Sequence, residues 1–243
     1  MDFSWTPAQD ELYDRVLRLA QARLNRTVAE REPTHTFGMD EWRVCGELGL
    51  MGLCVPERYG GLELDALSTA RMIEAFGRGC EDMGLVFSAS AHLFAAVMPI
   101  VDHGDDAQKE RFLPRLADGT WIGANAITEG EAGSDAFALR ARATRDGDHY
   151  VLSGAKTYVS NGPVGDVFLV YATLNPAWGY LGVTAFLVER GTPGLVIGQP
   201  FQKMGLTTSP TCSIYLEDCR VPIENRLGRE GQGGAVFRGS MLW

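Results

Sequence analysis

Two hydrophobic periods divide this chain. Up to Gly119 apolar residues recur every three or four positions, and beyond it they alternate. Thr6-Pro7-Ala8-Gln9 reads as a capping box with proline at the first helical position, and Leu12, Val16, Leu19 or Ala20, and Leu24 share the face that follows. A second helix is predicted over 40–48, closing at Gly49, and a third after Asp65 with Leu67, Ala70, Ile73 and Phe76 inward. Residues 83–101 form a fourth. Asp105-Asp106-Ala107-Gln108 opens a fifth, and Pro114 starts a further short turn.

Past Gly119, Leu139, Ala141 and Ala143 alternate with Arg140, Arg142 and Thr144, and Asp146-Gly147-Asp148 turns the chain into 149–152. Further strands are predicted over 166–172, 182–188, 195–198 and 211–217, with turns at Ser153-Gly154 and Asn161-Gly162. Many short strands with tight turns imply an antiparallel sheet closed or folded on itself, not a parallel βαβ sheet. The predicted fold is therefore α+β. An all-α N-terminal domain spans 1–119, an antiparallel β-barrel or sandwich spans 120–227, and 228–243 is a linker.

Composition narrows the function. The 243 residues are 45% apolar and carry a formal net charge of −9 with no dense Lys/Arg run, which argues against nucleic acid and an anionic membrane surface as partners. Five cysteines without a CxxC pair fit reduced thiols in a cytoplasmic protein, and no Cys/His cluster or HExxH points to a metal. The start, Met1-Asp2-Phe3-Ser4, lacks the basic flank and apolar core of a signal peptide. The uncharged run 83–101 has the length of a membrane span, but Ser88, Ser90, His92, Pro99 and acidic flanks favour a buried helix.

One segment carries candidate chemistry. Ala126-Ile127-Thr128-Glu129-Gly130-Glu131-Ala132-Gly133-Ser134-Asp135 lies where helix gives way to strand. Small residues admit a ligand close to the backbone, and hydroxyls with free amides can hold an anion. The residues alone read equally as a ligand cradle or a polar turn. Ser153-Gly154-Ala155-Lys156 matches a nucleophilic-serine spacing but falls on a predicted turn without companion motifs. The glycine-rich stretch 228–234 lacks a strand-to-helix phosphate pattern and reads as part of the linker.

The 126–135 segment resembles the Thr-Glu-Pro-x-Ala-Gly-Ser-Asp signature of the acyl-CoA dehydrogenase family. Other blocks resemble that family in the same order: Leu48-Gly49-Leu50-Met51-Gly52-Leu53 running into Val55-Pro56-Glu57-Arg58-Tyr59-Gly60-Gly61, then Gln108-Lys109-Glu110-Arg111-Phe112-Leu113-Pro114, then 156–162, then Leu216-Glu217-Asp218-Cys219-Arg220-Val221-Pro222. The resemblance implies FAD as cofactor. Thr128 would bond the pyrimidine edge of the flavin, and Ile127 would approach that edge through its backbone. Asn125 and Gly133 would lie beside the cofactor, and Ser134 would serve both its pyrophosphate and the substrate. Ser160 would sit near flavin N5, and Tyr158 against the ring face. Three departures stand out: Gly130 for the usual proline, Tyr158 for tryptophan, and Thr207 where many members have arginine.

The reaction so implied is α,β-dehydrogenation of an acyl thioester, in which a carboxylate takes the α proton while hydride leaves the β carbon. Phe168-Leu169-Val170-Tyr171, Asn175-Pro176 and Arg190-Gly191-Thr192-Pro193-Gly194-Leu195 are similar to carrier-protein-linked prolyl and acyl dehydrogenases of natural-product pathways. An acyl or aminoacyl thioester on a carrier protein is thus the leading expectation. A general acyl-CoA dehydrogenase acting on CoA esters is the second, and a non-catalytic flavin- or partner-binding subunit the third. The family also implies an electron acceptor, a homodimer or homotetramer, and a C-terminal helical bundle carrying the catalytic glutamate beyond Trp243. No residue within the chain is expected to be the base.

Overall fold

The computed structural model describes residues 4–241; Met1 to Phe3, which begin the acidic start, and Leu242-Trp243 lie outside the described residues. Helix α1 (Pro7–Arg23) opens with the predicted capping box: Thr6 Oγ1 accepts from Gln9 N, and Gln9 Oε1 accepts from Thr6 N. Its buried stripe is Tyr13, Val16, Ala20 and then Leu24, with Leu12 only partly buried. The helical layer continues through α2 (Val28–Arg31), which the periodicity did not reveal, and α3 (Met39–Glu47), which ends before Gly49 in the left-handed region. It closes with α4 (Ala66–Gly79), α5 (Met83–His92), α6 (Met98–His103) and α7 (Asp106–Ala117).

Helix α4 buries Phe76 fully and Ile73 partly, as expected, but the rest of its inward stripe differs. Thr69, Met72, Ala75, Phe76 and Gly79 face inward, while Leu67 is 64% exposed and Ala70 lies outside. The cause is close approach to α1: a Cβ on Gly79 would meet Leu17 O at 2.7 Å and Ala20 Cβ at 2.8 Å. Small residues mark this interface, so a reading weighted toward large apolar side chains misplaces it.

Helices α5 and α6 join through a π-helical turn at Leu93–Val97. The resulting Met83–His103 run is long and apolar enough to cross a membrane by length and composition, but 67% of its window is buried within the protein. It is the central helix of the helical layer. Pro114 does not start a new turn; α7 carries it on an exposed face and runs to Ala117. There, water can replace the hydrogen bond that proline forfeits.

Among the described residues the β region forms one eight-stranded, mostly antiparallel sheet. Its strands are β1 (Gly123–Ala126), β2 (Arg142–Asp146), β3 (His149–Ser160), β4 (Val167–Thr173), β5 (Val183–Glu189), β6 (Leu195–Ile197), β7 (Thr211–Pro222) and β8 (Arg226–Leu227). The order is β6-β7-β3-β2-β4-β5-β8, with β1 added parallel to β4. The short β1 and β8 escaped the sequence reading because Gly123-Ala124-Asn125-Ala126 has no large apolar residue to mark an alternation and β8 is two residues long. Ser153-Gly154 is no turn. It lies inside β3 at a register shift, where Gly154 takes φ 142° and a Cβ would meet Ala141 Cα at 2.7 Å.

Strands β4 and β5 read as unbroken apolar runs because both their faces are covered. Phe168, Val170 and Ala172 point into the β core with Phe186 and Val188, whereas Val167, Leu169 and Tyr171 face the helical layer. The stretch 228–243, expected as a linker, carries α8 (Gly233–Ser240), with Val236 fully buried. Its glycines permit close packing: a Cβ on Gly233 would meet the Thr184 backbone at 2.9 Å, and one on Gly234 the Tyr180 ring at 2.3 Å.

Candidate flavin site

The 126–135 segment is an excursion from one edge of β4. β1 pairs with Val167 to Val170 along that edge, and β2 returns to the same edge at Thr173. Residues between β1 and β2 therefore leave the sheet and come back to it. The outer turn is a tight two-residue hairpin, with Glu129 N donating to Ala132 O at 3.1 Å and Ala132 N to Glu129 O at 3.2 Å. Gly130 sits at the tip, where an added Cβ would have nothing within 4 Å and φ is not positive. Gly130→Ala is accordingly expected to stabilise the protein by about 0.4–1 kcal/mol through the unfolded chain's lost entropy. A chemical unfolding midpoint that falls in this variant would refute that.

The second segment, 156–162, runs alongside. Thr157 N donates to Thr128 O at 2.9 Å, so residue 128 lies next to residue 157 and one position from Tyr158. Tyr158 takes φ 55° and Asn161 φ 63°, both in the left-handed region. Asparagine tolerates that conformation; a tyrosine held there is uncommon and strained. A bulge between Lys156 and Val159 accompanies it, and Tyr158 emerges 69% exposed with its ring edge-on to Phe201 at 5.6 Å. Ser160, paired with Thr211 in β7, stays half-buried.

The remaining expected site residues divide. Thr128 is half-buried, Gly133 and Ser134 are exposed, and Ile127 is buried with its carbonyl accepting from Lys156 Nζ at 3.0 Å. Asn125 faces the other way from the β core: its Nδ2 donates to Ala95 O at 2.7 Å, tying β1 to the π-helical turn. Asparagine there is engaged in holding the helical and β layers together. Within the second segment Asn161 is fully buried, and its Nδ2 donates to Ser88 O at 2.9 Å and Gly123 O at 3.2 Å, tying that segment to α5 and β1. Arg190 adds Nε to Gly165 O at 2.6 Å and bonds to Gly162 and Pro163 carbonyls, bracing the turn after β3.

A buried ion pair that sequence reading passed over lies beneath the two segments. Glu129 is 7% exposed, and its carboxylate accepts from Lys156 Nζ at 2.7 Å, Arg140 N at 2.7 Å and Ala141 N at 3.0 Å. Burial pushes the Lys156 ammonium down to about 8, while Glu129 opposes that shift. The decoy spacing Ser153-x-x-Lys156 is thus a structural lysine after a strand bulge. Its inward phase in β3 was the available signal.

Thr207, at the place of the family's arginine, donates from Oγ1 to Glu32 O at 2.9 Å. Its neighbours Thr208 and Ser209 bond Asp82 and Ser88 Oγ, the latter at 2.8 Å, anchoring this loop on the start of α5. The two segments, Tyr158 and the anchored loop form one connected region. Two domain models of known proteins match here: "Acyl-CoA dehydrogenase, N-terminal domain" over residues 6–120 and "Acyl-CoA dehydrogenase, middle domain" over 124–219. The chain belongs to the acyl-CoA dehydrogenase family.

Within that family it is similar to an L-prolyl-[peptidyl-carrier protein] dehydrogenase of Pseudomonas fluorescens, 45% identical over 100% of this chain and 64% of the relative. Among solved structures, the prolyl acyl carrier protein oxidase AnaB matches 99% of this chain and 64% of its own with TM-score 0.96 and 42% identity. PigA with FAD and proline matches 100% and 63% with TM-score 0.97 and 40% identity. The chain thus spans a little under two-thirds of the length of these relatives.

The residues present fit FAD. An open hairpin with Gly130 at its tip, an exposed aromatic ring on a left-handed backbone and nearby hydroxyls present a polar and aromatic surface of the kind a flavin ring and its phosphates require.

Proposed function

We propose that this chain holds FAD for dehydrogenation of an aminoacyl or acyl thioester tethered to a carrier protein. The observation that carries the reading is the joining of two separate segments by Thr157 N to Thr128 O, which sets a hydroxyl-bearing loop beside the strained Tyr158. Thr128 offers its hydroxyl to the flavin's pyrimidine edge, and Tyr158 offers its ring to the flavin face. Ser160 lies two positions on, near the reacting edge. Ser134, exposed at the end of the hairpin, serves the pyrophosphate or the substrate. Bound FAD supplies the hydride acceptor. The substrate class rests on similarity to the prolyl-carrier-protein dehydrogenase, and a reducing cytoplasmic setting fits five buried free cysteines.

The test is anaerobic reduction of the full-length protein's bound flavin. L-prolyl-carrier protein should bleach the flavin band, and butyryl-CoA should not. Bleaching by the CoA ester alone would replace this reading with a general acyl-CoA dehydrogenase. A flavin bleached by neither would favour a non-catalytic subunit.

A further inference from the structure

Glu129 and Lys156 are more than a stabilising pair. Taking both charges out of water costs several kcal/mol per ion, and well-packed apolar residues commonly give equal or better stability. What the pair does that apolar residues could not is make directed contacts to both segments at once. Glu129, on the outgoing arm of the excursion, accepts from Arg140 N and Ala141 N on the returning arm. Lys156 reaches Glu129 and the Ile127 carbonyl from β3, two residues before Tyr158. The two peptides that flank Thr128 are thereby held in turn, the Ile127 carbonyl by Lys156 Nζ and the Thr128 carbonyl by Thr157 N.

We propose that Lys156 and Glu129 are positioning residues: a buried clamp that fixes the peptides flanking Thr128 against the Tyr158–Ser160 segment and so sets the affinity for FAD. This inference rests on the flavin reading above. The two charges act as a unit. Lys156 faces Glu129 across the loop, and Arg140, whose side chain reaches out toward Glu131 at 3.7 Å, leaves its backbone N–H, not its guanidinium, to the clamp. Removing the lysine leaves a buried carboxylate held by two amides but lacking its counter-charge. Removing both charges takes away the Ile127 carbonyl's donor as well and loosens the loop without leaving an unpaired charge.

The experiment compares Lys156→Met, Glu129→Gln and the double variant in the full-length protein. In Lys156→Met the FAD Kd should rise at least tenfold, and reduced flavin, which carries more negative charge, should be weakened more than oxidised flavin. The double variant lacks the same bond to the Ile127 carbonyl, so its Kd should stay raised, within about threefold of Lys156→Met. Without FAD, amide exchange at Thr157, Arg140 and Ala141 should quicken in Lys156→Met while exchange in α5 stays unchanged. Recovery of the double variant to within about threefold of the parent, or an unchanged Kd in all three, would overturn the clamp. If Lys156→Met does not fold, Glu129→Gln and the double variant decide: a double variant that binds FAD as tightly as the parent would overturn it. Wild-type protein that takes no FAD would sink the flavin reading and the cofactor part of this inference, while the exchange data would still judge the clamp itself.

Discussion

Asp82→Ala is expected to cost about 3–5 kcal/mol of stability, because it strips one partner from a buried charge pair and leaves the other behind. Asp82 is 2% exposed. Its Oδ2 accepts from Arg31 at 2.7 Å, and its Oδ1 accepts from Leu85 N at 3.0 Å and from the Thr208 hydroxyl. Arg31 is itself buried, with Glu41 at 3.7 Å as its one other ion-pair partner among the described residues. The variant thus strips the buried guanidinium of its 2.7 Å counter-charge and leaves it the more distant Glu41, uncaps α5 and frees the loop that follows Leu206. For a chain of this length the melting temperature should fall by about 10 °C or more. Asp40→Ala is the contrast. That carboxylate pairs with Arg43 at 2.9 Å, but the two side chains are 90% and 68% exposed, so the change should stay within about 0.5 kcal/mol. Matching losses in the two variants would show that burial is not what gives Asp82 its weight.

Lowering the pH should weaken the fold through His92. Its Nδ1 accepts from Gly123 N at 2.9 Å and its Nε2 donates to Leu116 O at 3.1 Å, at zero exposure and edge-on to Trp42. An imidazolium could not accept from Gly123, and burial lowers this group from 6.5 to about 4. The unfolded chain therefore takes up a proton at a higher pH than the folded one. Between pH 6.5 and 4 the unfolded state binds more protons, so stability falls as the pH falls, by about 3 kcal/mol in full. Because Gly123 starts β1, the strand that feeds the flavin hairpin, the loss is felt at the site as well as in the core. Unfolding by urea at pH 7 and pH 4.5 should show a difference that shrinks in His92→Gln. An undiminished difference in that variant would assign the acid sensitivity to other groups.

Much of this fold is written in local chemistry. The capping residues Thr6, Asp65 and Asp105 accept from amides three residues on, as their sequences imply, because a cap depends on a few neighbouring residues. The alternation at Leu139, Ala141 and Ala143 survives as inward-facing residues for the same reason. Where neighbours in space are distant in sequence, legibility fails. The inward face of α4 depends on Ala20 of α1, and the Ser153-Gly154 bulge on Ala141. The site follows the same rule. Thr128 and Tyr158 could be picked out from motif resemblance, but the bond from Thr157 N to Thr128 O and the pairing of Lys156 with Glu129 link residues about thirty positions apart, and nothing local announces them. Asn125 was picked out by resemblance, but the bond from its Nδ2 to Ala95 O, thirty positions away, is as silent in the sequence as the others.

The central claim is that residues 126–135 and 156–162 meet to hold FAD. The most direct measurement is a titration of the full-length, flavin-stripped protein with FAD, followed by flavin absorbance and fluorescence, beside Thr128→Val. Saturable binding of one FAD per chain is predicted, weakened up to about tenfold in Thr128→Val by loss of one hydrogen bond of about 0.5–1.5 kcal/mol. A protein that takes up no FAD, or binds it equally well without the Thr128 hydroxyl, would contradict the claim.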